Sequence, residues 1–212
     1  MTLNELHLRI ASTVPQMQGW CSVDKAIHLA SLVVENKPSL VLEIGVWAGR
    51  SLIPMALAAK FLQETEKQPC YVLGIDPWDT ALAMEGWPKG DVNREWWEKV
   101  DMELFHGLSL EAVKKNKVKN CCGILRASSD VVEGLFADGF VGFIHVDGNH
   151  SEAASCKDVE VCLPKLKPGG ILVFDDTNWP STQTALKMLD ESCELVEDMQ
   201  SYRIYKGPSE PI

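Results

Sequence analysis

VLEIGVWAGRSLIPMALAAKFL, residues 41–62, decides how the chain is read. An apolar, β-branched run stops at Gly45, passes Gly49, and resumes as a longer apolar stretch of helical length. Strand, glycine turn and helix in that order form the opening unit of an α/β sheet. Glycines 45 and 49 let the backbone turn sharply and approach a ligand, and the first helical turn offers unpaired N–H groups to it. The spacing is Gly-x-x-x-Gly, with Trp47 where a dinucleotide fold would place its middle glycine.

The same alternation continues along the chain. Residues 39 to 45, 70 to 76, 121 to 127, 140 to 147 and 170 to 175 read as strands separated by helical patterns. Two closing runs, 193 to 198 and 201 to 206, are joined too tightly for another βα unit and read as an antiparallel hairpin. The expected fold is α/β and Rossmann-like: a seven-stranded, mostly parallel sheet with helices on both faces and a C-terminal antiparallel hairpin. No repeat or linker divides residues 1–212, so one domain is expected. Helices over 3 to 12 and 22 to 36 precede the first strand, the second capped by Ser22, and residues 1–38 read as an N-terminal helical cap. Residues 77–106 are far too long for a βα loop and carry Trp78, Trp87, Trp96 and Trp97. That insertion reads as a substrate lid, as a subunit contact that would make a homo-oligomer, or as helical padding on the core.

Composition narrows the partners. The 212 residues include 20 Lys plus Arg against 30 Asp plus Glu, a formal charge of −10. No basic tract would neutralise phosphates, which argues against nucleic acid and for a small-molecule substrate. The apolar runs are of strand length and too short to span a membrane, and the N-terminus lacks the pattern of a signal peptide. Seven cysteines, an odd number without any Cys-x-x-Cys, sit mostly in apolar runs and read as reduced core thiols of a cytoplasmic protein.

Acids stand where the strands end. Glu43 lies two residues before Gly45, and Asp76 closes the second strand, where an acid can accept both hydroxyl hydrogens of a ribose. An acid near the first turn favours a cationic ligand over a pyrophosphate, and the two together point to an aminoacyl nucleoside. Asp147 in FIHVDGNH and the pair Asp175 and Asp176 in ILVFDD end the fourth and fifth strands. Neighbouring strands are about 4.8 Å apart, so the three carboxylates are expected to share one hard cation, Mg²⁺ or Mn²⁺. The bland alternative makes them turn formers, but three unneutralised carboxylates would repel one another. His150, three residues past Asp147, has the titration range of a general base and is also readable as a metal ligand.

Over roughly residues 39 to 177 these motifs resemble the class I S-adenosylmethionine-dependent methyltransferases, and within them the metal-dependent O-methyltransferases. VLEIGVWAGRSLIPMA is similar to the first motif of catechol O-methyltransferase and of the macrocin-type, macrolide-sugar O-methyltransferases, including the Gly-x-x-x-Gly-x-Ser spacing. The resemblance implies that Gly45 and Ser51 contact the methionine part of the cofactor and Asp76 its ribose. Trp47 and Gly49 belong to the same turn. Ser128 and Ser129, in the segment resembling the family's adenine-contacting stretch, would touch the base; Ser129 is also placed to cap a helix. Asp147, Asp175 and Asp176 match the metal positions of that branch. His150 replaces the lysine of catechol O-methyltransferase and resembles the macrolide-sugar enzymes.

The implied reaction is transfer of a methyl group from S-adenosylmethionine to a hydroxyl of a vicinal diol, sugar or catechol-like molecule, with the metal acidifying the hydroxyl and His150 removing its proton. Two other readings stay open. Related chains resembling this one include cephalosporin-hydroxylase-like oxygenases, and a non-catalytic cofactor-binding module is the third.

Overall fold

The computed structural model describes residues 1–210. In chain order the helices are α1 (Leu3–Thr13), α2 (Val23–Asn36), α3 (Leu52–Phe61), α4 (Thr80–Ala83), α5 (Val92–Trp97), α6 (Met102–Lys115), α7 (Val132–Leu135), α8 (Glu152–Cys162) and α9 (Gln183–Ser192). The strands are β1 (Leu40–Ile44), β2 (Tyr71–Asp76), β3 (Cys122–Arg126), β4 (Val141–Val146), β5 (Leu166–Asp175), β6 (Glu194–Asp198) and β7 (Tyr202–Lys206). They form one seven-stranded sheet, as the strand pattern predicts, in the order β3-β2-β1-β4-β5-β7-β6. The first five are parallel, while β7 runs antiparallel to both β5 and β6.

Local chemistry explains the leading helices. Thr2 and Glu5 close a reciprocal capping box on α1, and the Ser22 hydroxyl accepts the Lys25 N–H at the start of α2. Lys37, left-handed at φ 47°, ends α2 just before Pro38. The expected strand limits hold to within a residue or so, except that β5 starts at Leu166, four residues early. Pro168 and Gly169 do not end the strand, because a register irregularity against β4 absorbs them.

Alternation along the strands sorts the core into two layers. Phe143, Ile171 and Val173 face a layer built with α1, α2, α3 and α6, whereas Ile144, Val146, Leu172 and Phe174 face α8 and α9. Helix α3 is apolar all round, with Leu52, Ile53, Met55 and Leu57 fully buried. At about 1.5–3 kcal/mol per large apolar side chain, this helix is anchored firmly, which matters because the loop before it carries the site.

Chain direction then fixes where a ligand can bind. From β1 the chain moves outward to β2 and β3, then returns to β4 on the other side of β1. Such a reversal opens a crevice at the carboxyl ends of the two central strands.

Candidate active site

The loops leaving β1 and β4 cross at that crevice in direct contact. The Gly45 N–H donates to the Ile75 carbonyl at 2.9 Å, and the Asp147 N–H donates to the Ile44 carbonyl at 2.8 Å. Gly45 has φ 85°, and a Cβ there would stand 1.8 Å from the Asp147 carbonyl oxygen. Only glycine fits. Three larger residues at the strand ends are also left-handed: Trp47 at φ 51°, Trp78 at 41° and Asp176 at 49°. Non-glycine residues in that region cost of order 1 kcal/mol or more each and cluster at functional sites.

Asp76 holds the first two in place. Its Oδ2 accepts the N–H groups of Val46 and Trp47, both at 2.9 Å, and Oδ1 accepts that of Trp78 at 2.8 Å. The carboxylate expected to face a ribose is thus also the fastener of the turn. Burial pushes its pKa up despite those three donors.

A cavity of about 1100 Å³ opens over these loops. Gly45, Trp47, Ser51, Asp76, Ser128, Ser129, Asp147, His150, Asp175 and Asp176 line it, so ten of the twelve residues expected from sequence converge on one space. The two that do not are Glu43 and Gly49. Gly49, at φ 84°, donates its N–H to the Val46 carbonyl and shapes the turn from behind. Ser129 does not cap a helix: its hydroxyl donates to Asp158 at 2.5 Å, and Ser128 stands at the cap position instead.

Glu43 lies wholly beneath the site. Alternation along β1 turns it toward α3, opposite His145 in the β1/β4 register, and its Oε1 lies 2.9 Å from His145 Nδ1. Burial drives the Glu43 pKa well up, with the Ser51 hydroxyl acting the other way. Burial, then the Lys25 charge, drives His145 well down. Both groups therefore prefer their neutral forms, Glu43 donating to Nδ1. The ring's other nitrogen, Nε2, has no hydrogen-bond partner and faces Asp175 Oδ2 at 3.8 Å.

The three aspartates expected to share a cation do not gather as one set. Asp175 is ion-paired with Lys25 from α2, and both are nearly buried. Its other oxygen accepts the Asp176 N–H at 3.0 Å, which holds Asp176 in its left-handed turn. Among the described residues, ligand atoms lie within 4.8 Å of one another in two groups that share Asp147: Asp147 with His150 and Asp176, and Asp147 with His145 and Asp175. The first opens onto the cavity; in the second, His145 is buried. The physical reason for the separation is α2, which inserts an ammonium beside Asp175.

His150 Nε2 lies 2.7 Å from Asp176 Oδ2 and 3.7 Å from Asp147 Oδ1. Burial pulls its pKa down, but the Asp176 hydrogen bond and the charges of both aspartates outweigh that and raise it. Asp176 moves oppositely: burial raises it, and the His150 partnership carries it below the usual range. Asp147 is raised, by burial first, with Lys25 and His150 opposing. Two carboxylates at this spacing suit a divalent cation completed by water, with an imidazole beside them.

Indole rings enclose the cavity. Trp47 stacks on Phe105 at 3.7 Å and neighbours Trp20, Trp96 and Trp97 at 5.5–5.7 Å. On the opposite wall Trp179 lies 5.2 Å from His150 and 6.2 Å from Trp87. Trp78 is core, 2% exposed, its indole N–H donating to the Trp47 carbonyl. Sequence reasoning missed Lys25, His145, Asn149 and Asp158. Lys25 was the legible one, a charge on the otherwise apolar stripe of Ala26, Leu29, Ala30 and Val33 in α2.

A family model described as a methyltransferase domain matches residues 42–177, from the middle of β1 to just past Asp176. The chain belongs to this methyltransferase-domain family. Solved structures share the fold of this methyltransferase. An SAH-bound methyltransferase from Podospora anserina is 14% identical, with a TM-score of 0.65 over 96% of this chain and 88% of that one. A putative O-methyltransferase from Klebsiella pneumoniae is 13% identical, with a TM-score of 0.62 over 96% and 90%. An O-methyltransferase from Bacillus cereus in complex with SAH is 14% identical, with a TM-score of 0.58 over 97% and 90%. No curated protein matches the sequence. In the methyltransferase, no helix among the described residues is long and apolar enough to cross a membrane.

Proposed function

We propose that this methyltransferase moves the methyl group of S-adenosylmethionine to a hydroxyl oxygen of a small molecule with adjacent oxygens, such as a sugar diol or a catechol. The observation that carries the reading is the convergence of Asp147, His150 and Asp176 on the cavity that the Gly45 turn also lines. Structural neighbours described as O-methyltransferases and as SAH- or SAM-bound proteins support it.

Gly45 and Ser51 receive the amino-acid end of the donor, Asp76 its ribose, and Ser128 and Ser129 its base. Asp147 and Asp176 would hold a Mg²⁺ or Mn²⁺ ion, while Asp175, engaged by Lys25, positions Asp176 through its backbone N–H. When bound, the donor supplies an electrophilic methyl carbon and the cation lowers the pKa of a coordinated hydroxyl. His150 would take the hydroxyl proton on its ring, and the resulting imidazolium would be held by Asp176, whose carboxylate lies 2.7 Å from Nε2 and favours the charged form. Trp179 and Trp87 shield that proton transfer from bulk water.

Calorimetric titration tests this. S-adenosylhomocysteine should bind the wild type, and Mn²⁺ should bind with an affinity that falls at least about tenfold in Asp176→Asn and in Asp147→Asn, but less than threefold in Asp175→Asn. Absence of S-adenosylhomocysteine binding removes the methyl-transfer reading, whereas binding of the nucleoside without any Mn²⁺ heat removes the metal. A labelled-methyl screen of catechols and glycosides then identifies the acceptor.

A further inference from the structure

Between Asp147 and His150, Asn149 makes contacts that the chemistry of methyl transfer does not itself require. Its Oδ1 accepts the Ser151 N–H at 2.9 Å, forming a tight turn that leads into α8. Its Nδ2 lies 3.0, 3.3 and 2.9 Å from the carbonyls of Leu82, Ala83 and Glu85, at the C-terminal end of α4 in the Trp-rich insertion. Two amide hydrogens therefore serve three acceptors on a segment some 65 residues earlier in the chain.

A second, independent fit lies beside the first. Gly86 has φ 79°, and a Cβ on it would sit 2.3 Å from the Ser151 hydroxyl oxygen and 2.6 Å from the Ser151 Cβ. The insertion backbone is thus pressed directly onto the first residue of the turn that Asn149 shapes. Immediately after comes Trp87, whose ring faces Trp179, which in turn covers His150. Arg94 secures the same stretch internally, donating to the carbonyls of Met84 and Trp87.

We propose that Asn149 is a positioning residue that latches the insertion over the site, setting the Trp87 wall and slowing escape of the bound donor. This inference rests on the methyl-transfer reading above but concerns a different part of the chain. An amide is the side chain suited to this place. Aspartate would set an acceptor against three acceptors, and serine could keep the turn to Ser151 but could not span to α4. The latch also ties the insertion to Asp147 and His150, so the wall and the reacting groups move as one body.

The test uses Asn149→Ser, which keeps the turn and removes the tether, and Gly86→Ala, which forces the same seam apart from the other side. Hydrogen exchange is measured by mass spectrometry, and dissociation of S-adenosylhomocysteine by stopped-flow tryptophan fluorescence. Both variants are expected to exchange about tenfold faster over residues 80–97, with strand peptides unchanged, and to release S-adenosylhomocysteine about tenfold faster. Unchanged exchange over 80–97 in both variants overturns the latch. So does faster exchange with an unaltered dissociation rate, since the seam would then be structural only. A wild type that does not bind S-adenosylhomocysteine sinks the parent reading instead, and unchanged thermal midpoints separate opening of the seam from global unfolding.

Discussion

Replacing Asp158 by asparagine should make the protein more stable, and only above the carboxyl's own titration range. Asp158 is 5% exposed on α8, and its pKa is pushed from 3.8 up to about 6, by burial first, even though the Ser129 hydroxyl donates to it at 2.5 Å. The folded state therefore holds a proton that the unfolded chain releases between those two values. Stability from this group is fully present below 3.8 and is lost as pH rises through about 6. A shift of about two units at 1.36 kcal/mol per unit gives about 3 kcal/mol. Asparagine keeps an acceptor for Ser129 and has no charge to desolvate. Urea unfolding of wild type and Asp158→Asn, each at pH 4 and pH 8, isolates the term, since other titrations cancel in the difference. The variant should gain about 3 kcal/mol on the wild type between the two pH values, or about 6–12 °C in thermal midpoint at pH 8 for a chain of this size. An offset that is the same at both pH values would falsify the assignment of a protonated, buried carboxyl.

Two further substitutions probe the floor of the site. Glu43→Gln should cost less than about 1 kcal/mol in urea unfolding, because an amide can replace a neutral carboxyl beside His145, whereas Glu43→Ala should cost about 3 kcal/mol through a cavity and a stranded ring nitrogen; equal costs would show the pair to be ionic. Gly45→Ala should abolish binding of S-adenosylhomocysteine or unfold the chain, while Gly90→Ala, equally left-handed at φ 86° but with nothing within 4 Å of the added carbon, should cost only about 1–2 kcal/mol of backbone strain. Similar outcomes for the two glycines would mean that conformation, not the Asp147 carbonyl, explains position 45.

Periodicity made the sheet legible because its central strands β1, β4 and the second half of β5 are buried on both faces and so read as short apolar runs with glycine or acid at the ends. The hairpin was equally plain, since the few residues between 198 and 202 leave no room for a crossover. Strand-end residues were easy to nominate because the topological reversal collects them whatever their roles. What sequence could not supply was direction. Glu43 sits two residues from Gly45, but the pleat sends its carboxyl under the sheet to His145, and a one-residue parity decides that outcome. Asp175 and Asp176 are adjacent, but the left-handed Asp176 turns the pair apart, and the lysine that claims Asp175 comes from a helix about 150 residues earlier. The Trp-rich insertion announced itself by length alone; its attachment through Asn149 depends on three backbone carbonyls, which no side-chain pattern records.

Glu43 and His145 meet across the central strand pair although 102 residues separate them. On a ribosome adding roughly 5–20 residues per second, the Gly45 turn emerges about 5–20 s before the segment that carries Asp147 and His150. Until that second segment arrives, the Gly45 turn lacks the carbonyl it packs against, and β1 has one open edge. The turn that shapes the crevice is therefore completed only when a strand from the second half of the chain docks beside β1.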